Sequence, residues 1–162
     1  LVLSSVATSL LGLAVMLLVA VPLFGLSFAP YGLLLGAFFL VLFLFGIALG
    51  IAGVVVVLRL GPAAEWFVWP VPAMLAPFAC VFYPLTVLPA WMRPVARLLP
   101  PTHVFEGMRA VIAGEPAPVG ALAGGALLAL ACVALACWAF AGVYRHAVRT
   151  GLIARYAAET VG

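Results

Sequence analysis

The sequence predicts an all-α integral membrane protein: four transmembrane helices, with a broken re-entrant or interfacial helical hairpin before the last span. Three observations predict it. Of 162 residues, 69% are hydrophobic and only 7% charged, against roughly 45–50% and about 25% in a soluble domain. The charged residues are seven Arg and four Glu, and no Lys, Asp, Asn or Gln occurs. Long stretches carry no charge at all. So few charges cannot clothe a soluble fold of this size, which excludes a soluble enzyme, a nucleic-acid-binding domain and a disordered tail. The solvent for most of the surface must be lipid.

A spanning helix needs about 20 mostly apolar residues. The first candidate is 1–28, uncharged and carrying Pro22 near its far end. Its Ser4, Ser5, Thr8 and Ser9 form two i, i+4 rows, which either line a polar route or hydrogen-bond back to their own helix and its neighbours. The second span, 31–58, holds 19 Leu, Ile, Val or Phe residues, each worth roughly −0.3 to −0.6 kcal/mol near the membrane centre. The third, 66–88, is apolar but contains Pro70, Pro72, Pro77 and Pro84. Each internal Pro removes a backbone donor and crowds the preceding turn. The expectation is therefore a kinked span facing protein, where neighbours satisfy the freed carbonyls. The fourth span, 119–144, is rich in Ala and Gly and also uncharged.

Between the third and fourth spans lies 89–114, too short in either half to cross. Arg93 and Arg97 share one face of a short helix, with Val95, Leu98 and Leu99 mostly elsewhere. Pro100-Pro101 breaks it, and a second helix fits 102–113, with Thr102 as N-cap and Gly114 as stop. The linker Glu115-Pro116-Ala117-Pro118 leads into the last span, and the tail 145–162 follows it. Small-xxx-small pairs at Gly32/Gly36, Gly46/Gly50 and Gly120/Gly124 permit close helix packing, within or between subunits.

With four spans, Arg59, Arg145, Arg149 and Arg155 share one side, against Arg93, Arg97 and Arg109 on the other. This small excess favours a cytoplasmic tail. The net charge of +3 comes from arginines scattered singly, whereas a nucleic-acid footprint clusters on one face; no nucleic-acid partner is expected. Residue 1 is Leu within an apolar run, with no basic segment or cleavage site ahead of it. The expectation is a single transmembrane domain, 1–162, that begins part-way through a longer protein.

Catalytic chemistry finds no foothold. The sequence lacks a Gly-x-x-x-x-Gly-Lys phosphate loop, His-Glu-x-x-His, Gly-x-Ser-x-Gly and any close carboxylate pair. No catalytic, cofactor-binding or metal residue is expected. Cys80, Cys132 and Cys137 sit in apolar stretches without CxxC spacing and read as small packing residues. His103, Glu106 and Arg109 recur every third residue. They form either a polar cluster gripping substrate or sealing an outer gate, or a local Glu106–Arg109 pair worth a few tenths of a kcal/mol.

The stretch Phe82-Tyr83-Pro84-Leu85-Thr86-Val87-Leu88-Pro89-Ala90-Trp91-Met92, followed by Leu99-Pro100-Pro101-Thr102-His103-Val104-Phe105-Glu106-Gly107-Met108-Arg109, resembles the C-terminal signature of ABC-2 type transporter permeases. In that family a (F/Y)-(F/P)-P-x-x-x-L-P-x-W segment ends the fifth span. A broken re-entrant hairpin with L-P-x-T-(H/Y)-x-x-E-x-x-R then precedes the sixth. The resemblance implies that the four spans here are the last four of six, with the two N-terminal spans and the coupling helix outside the chain.

It further implies a partner ABC ATPase subunit, carrying ATP and Mg, and a second permease copy, identical or related. Two copies would form an export pathway for an amphipathic solute such as a drug, a lipid or a lipid-linked glycan. On that reading Arg93, Arg97, His103, Glu106 and Arg109 sit near the outer mouth, Pro70, Pro72, Pro77 and Pro84 shape the pathway wall, and the loop from Arg59 to Glu65 faces the ATPase. The implied location is the cell membrane, multi-pass, in a bacterium its inner membrane; Arg-for-Lys usage and Ala/Gly/Pro richness point to a GC-rich bacterial genome, a coding bias and not a functional fact. Two other classes remain open: a membrane anchoring or assembly protein, and an ATP-independent channel or carrier. A carrier would usually place ionisable groups inside its spans, and the first, second and fourth have none.

Overall fold

The computed structural model describes residues 11, 12, 14, 15, 18, 32–116 and 118–149. The chain divides into two units, 1–35 and 36–162. The predicted first span, with its Ser and Thr rows, lies outside the described residues except for Leu11, Gly12, Ala14, Val15 and Leu18, which are helical. Positions 150–162 of the tail, with Arg155, also lie outside them.

All regular structure among the described residues is helical. Helix α1, Gly32–Leu60, has no Pro and no charge before Arg59, so nothing interrupts its hydrogen-bond ladder. Gly61, at φ 96°, ends it and returns its N–H to the Val57 carbonyl at 2.8 Å. At the other end of the chain, α6, Val119–Arg149, continues four residues beyond Arg145.

Two helices, Leu34–Leu60 and Val119–Arg149, are long and apolar enough to cross a membrane. Only 17% and 11% of their most apolar windows are buried, so they are not core helices of a soluble fold. Leu40, Phe43 and Ile47 on α1, and Leu127, Leu135 and Trp138 on α6, face outward. α1 and α6 run parallel. Val41 lies beside Gly125, while Leu58 and Arg59 share a cleft with Gly142 and His146.

The expectation of one kinked helix over 66–88 is not met. After the 3-10 turn Pro62–Ala64, α2 is Glu65–Val68 and α3 is Val71–Leu75; turns and bends follow until the 3-10 turn Leu85–Val87. The prolines account for the breaks. Pro70 cannot bond the carbonyl of Trp66, nor Pro72 that of Val68, so the ladder fails twice within three residues. Pro77 repeats the loss, and Pro84 holds Tyr83 away from helical geometry. Cys80, at φ 55°, carries the turn; a non-Gly residue in that region costs about 1–2 kcal/mol, so neighbouring contacts must hold it there.

The hairpin contains the two predicted short helices, α4, Met92–Arg97, and α5, Pro100–Ile112. Thr102 is not the N-cap of the second. Leu99 caps it in extended geometry, and Pro100 and Pro101 occupy the first two helical positions. Those are the positions where a missing N–H costs nothing and the fixed φ of proline is already helical. The double proline therefore starts α5. The predicted stop is where expected: Gly114 takes φ 81°, its N–H reaches the Val111 carbonyl at 3.1 Å, and Glu115 N–H reaches Ala110 at 3.0 Å, a Schellman closure.

α5 packs along α6, and α1 joins them through Phe38, which is 2% exposed. A Cβ on Gly107 of α5 would stand 2.7 Å from Phe38 Cζ, and one on Gly125 of α6 would stand 3.1 Å from His103 Cβ. Within the one chain these approaches are made by other glycines than the described members of the expected small-residue pairs. Gly36, Gly46, Gly50 and Gly120 have open space above them, and Gly124 meets the His103 ring at ordinary distance.

Candidate functional site

Three of the charged residues singled out in the hairpin, Arg93, Glu106 and Arg109, converge on the irregular stretch 78–88. A chain that leaves the helix exposes carbonyls and N–H groups with no intrahelical partner, and in an apolar medium each must be satisfied by protein. α5 supplies most of the partners. Arg109 donates through Nη2 to the carbonyls of Cys80, Val81 (3.4 Å) and Tyr83 (2.9 Å), and through Nη1 to Glu106 Oε1 at 2.8 Å. The same Glu106 oxygen accepts the Leu85 N–H at 2.8 Å. One turn earlier on α5, Thr102 donates its hydroxyl to the Phe78 carbonyl at 3.0 Å.

α4 holds the next few residues. Arg93 donates from Nε to the Leu88 carbonyl at 2.9 Å and from Nη2 to Thr86 at 2.8 Å. The segment also ties to itself, with the Tyr83 hydroxyl donating to the Pro77 carbonyl at 2.6 Å. Beneath these bonds Cys80 (0% exposed), Leu88 and Ala96 form a small core, with Tyr83, Leu85 and Met92 partly buried against it. The arginine forks suit this work. A guanidinium offers several donors in one plane, so it spans neighbouring carbonyls that an ammonium would serve singly.

Glu106 and Arg109 are thus more than a local pair. The i, i+3 contact exists, with side chains 36% and 32% exposed respectively, and exposure at that level leaves the Coulomb part modest. The hydrogen bonds to the broken backbone carry more of the energy, since bonds to charged groups contribute about 1.5–3 kcal/mol. His103 does not join them. Its Nε2 lies 2.9 Å from the Arg97 carbonyl, and a carbonyl only accepts, so Nε2 carries the proton. Its ring rests against Gly124 of α6. Arg97 itself has an exposed side chain at the end of α4.

The remaining candidates, apart from Pro84, lie earlier in the chain than that stretch. Pro70 caps α3, Pro72 lies in its first turn, and Pro84 precedes the 3-10 turn. Arg59 and Glu65, both exposed, flank Gly61. Glu65 and Pro72 line an apolar groove of about 660 Å³, whose floor is Gly46, Gly50 and Gly53 and whose wall includes Phe67 and Trp69. Sequence reasoning read Cys80 as a small packing residue, as it is, but did not find the roles of Tyr83 or Phe38. Tyr83 pairs with a backbone carbonyl, and side-chain pattern carries no signal for that.

No family model matches the chain, and no curated protein or solved structure matches it either.

Proposed function

We propose that the chain is the C-terminal part of an ABC-2 type permease, the membrane subunit of an ATP-driven exporter of an amphipathic solute. The observation that carries this reading is the lock between the proline-broken segment and the hairpin. Two bonds join the two halves of the resemblance, 82–92 and 99–109: Glu106 accepts the Leu85 N–H, and Arg109 donates to the Tyr83 carbonyl. A motif whose two halves meet in space is better supported than one that matches only in order.

Membrane topology supports it as well. α1 and α6 run parallel, so if both cross the bilayer the connection between them must return across it. The proline-broken segment is the part of 61–118 apolar enough to make that return. The Pro100 carbonyl lies 3.6 Å from the Cβ position of Gly125, six residues or roughly 9 Å into α6. α5 therefore starts below the level where α6 begins, and Gly114 follows at its far end, as in a re-entrant hairpin. On this reading 66–88 crosses as broken backbone satisfied by protein, making four spans with 1–28, in a bacterial inner membrane. A separate ATPase supplies ATP hydrolysis, and a second permease copy completes the pathway.

Sequencing the DNA on both sides of the coding segment tests the class. The expected result is an upstream in-frame stretch with two more spans, beside a gene encoding Gly-x-x-x-x-Gly-Lys-(Ser/Thr). A start codon immediately before Leu1 with no ATPase gene nearby would reject it in favour of an anchoring protein. In the full permease, Glu106→Ala is expected to cut transport about tenfold, the equivalent of one lost charge-assisted bond, while ATPase association persists. Wild-type transport from that variant would remove Glu106 from the mechanism.

A further inference from the structure

We propose that the cleft between the ends of α1 and α6 binds the phosphodiester headgroup of an anionic phospholipid. The cleft, about 420 Å³, is lined by Leu58, Arg59, Gly142, Val143, His146 and Ala147. Its position along the helices is the first argument. α1 is uncharged until Arg59 and α6 until Arg145, and the parallel run brings those two levels together. The first charges on both helices therefore mark one hydrocarbon boundary, the depth at which lipid phosphates lie.

Its chemistry is the second. Leu58, Val143 and Ala147 are its apolar lining, while Arg59 and His146 bring a guanidinium and an imidazole, and none of the described residues lining it is a carboxylate. Gly142 keeps the space open, with nothing within 4 Å of where its Cβ would lie. Arg145 and Arg149 stand in the adjoining turns of α6, adding positive potential at the same level. The negative end of the α1 dipole alone would explain Arg59. It does not explain the cleft itself, which places apolar side chains beside that guanidinium. Basic pockets between transmembrane helices match anionic headgroups in this way: the phosphate meets the nitrogen donors, and the glycerol and upper acyl chain meet the apolar lining.

This inference requires only that both helices cross a membrane and is independent of the exporter reading. The test is native mass spectrometry on the full-length protein in detergent, titrated with dioleoyl phosphatidylglycerol or dioleoyl phosphatidylcholine. Saturable retention of the anionic lipid alone is expected. Arg59→Gln should weaken it about tenfold, the loss of one charge-assisted bond, and Arg59→Lys should retain most of it. Equal retention of the two lipids would overturn the proposal, as would unchanged phosphatidylglycerol binding in Arg59→Gln. Displacement of the lipid by inorganic phosphate would assign the anion to solution instead. His146→Gln reads the same cleft should Arg59→Gln fold poorly, and wild-type binding there would count against the site.

Discussion

Arg109→Ala is expected to release the stretch 80–85 and expose Cys80 to thiol reagents. In the wild type Cys80 is 0% exposed, whereas Cys137 lies open on α6. Maleimide should therefore spare Cys80 in mild detergent, while Cys137, once sodium dodecyl sulfate has unfolded the protein, gives the reference for full labelling, resolved by peptide mass. Removing the guanidinium leaves the Cys80 and Tyr83 carbonyls without that donor, and Glu106 without its counter-charge. A buried polar group left unpaired costs about 1–3 kcal/mol, more when charged, so the loss should reach about 3 kcal/mol. The left-handed turn at Cys80, held against its own preference, should be the first part to yield. Labelling of Cys80 would then approach that of Cys137, and the thermal transition would fall. Arg109→Lys separates two causes. A lysine can keep the Glu106 contact but not span several carbonyls, so partial protection is expected. Full protection in the lysine variant would mean the ion pair suffices, and full protection in Arg109→Ala would remove the lock altogether.

The helices were legible in the sequence where a single physical demand governed them. Within Leu34–Leu60 and Val119–Arg149, the runs 34–58 and 119–144, uncharged and free of Pro, leave only a helix able to satisfy the backbone in lipid. The stop at Gly114 was legible for a similar reason, since only a left-handed residue closes a helix that way. The start of α5 was not. Thr102 fits an N-cap by residue type, and Pro100-Pro101 reads equally as a break behind the helix or as its first turn. What decides is the Phe78 carbonyl, 24 positions earlier, which takes the Thr102 hydroxyl.

The same long-range pairing hid the candidate site. Spacing placed Glu106 and Arg109 within reach of each other, as they are, and left open whether His103 joins them. On α5 that histidine turns to the Arg97 carbonyl and to α6. The targets of the two arginine forks are backbone atoms, invisible to any pattern of side chains. Proline spacing announced that 66–88 would need outside partners but not which residues would provide them.

Gly107→Ala is expected to disturb the three-helix contact, its added carbon making the shortest approach among the described glycines. Its Cβ would lie 2.7 and 2.9 Å from Phe38 Cζ and Cε1, and 3.3 Å from Pro118 Cγ. Phe38 cannot retreat, being 2% exposed, and Pro118 is a rigid ring at the entrance to α6. Such overpacking costs about 1–3 kcal/mol, read as a lower thermal transition in detergent. It should also pull α5 from α1 and loosen Glu106 and Arg109, which flank Gly107, so that Cys80 labelling rises as well. The decisive comparison is Phe38→Leu. Alone, it leaves space beside Gly107 and should destabilise; combined with Gly107→Ala, the smaller side chain makes room for the methyl group. The double variant is therefore expected to be more stable than Gly107→Ala alone, a coupling of about 0.5–3 kcal/mol between touching residues. Simple addition of the two losses would mean that the glycine is required by something other than Phe38, and the packing of α1 on α5 would need another explanation.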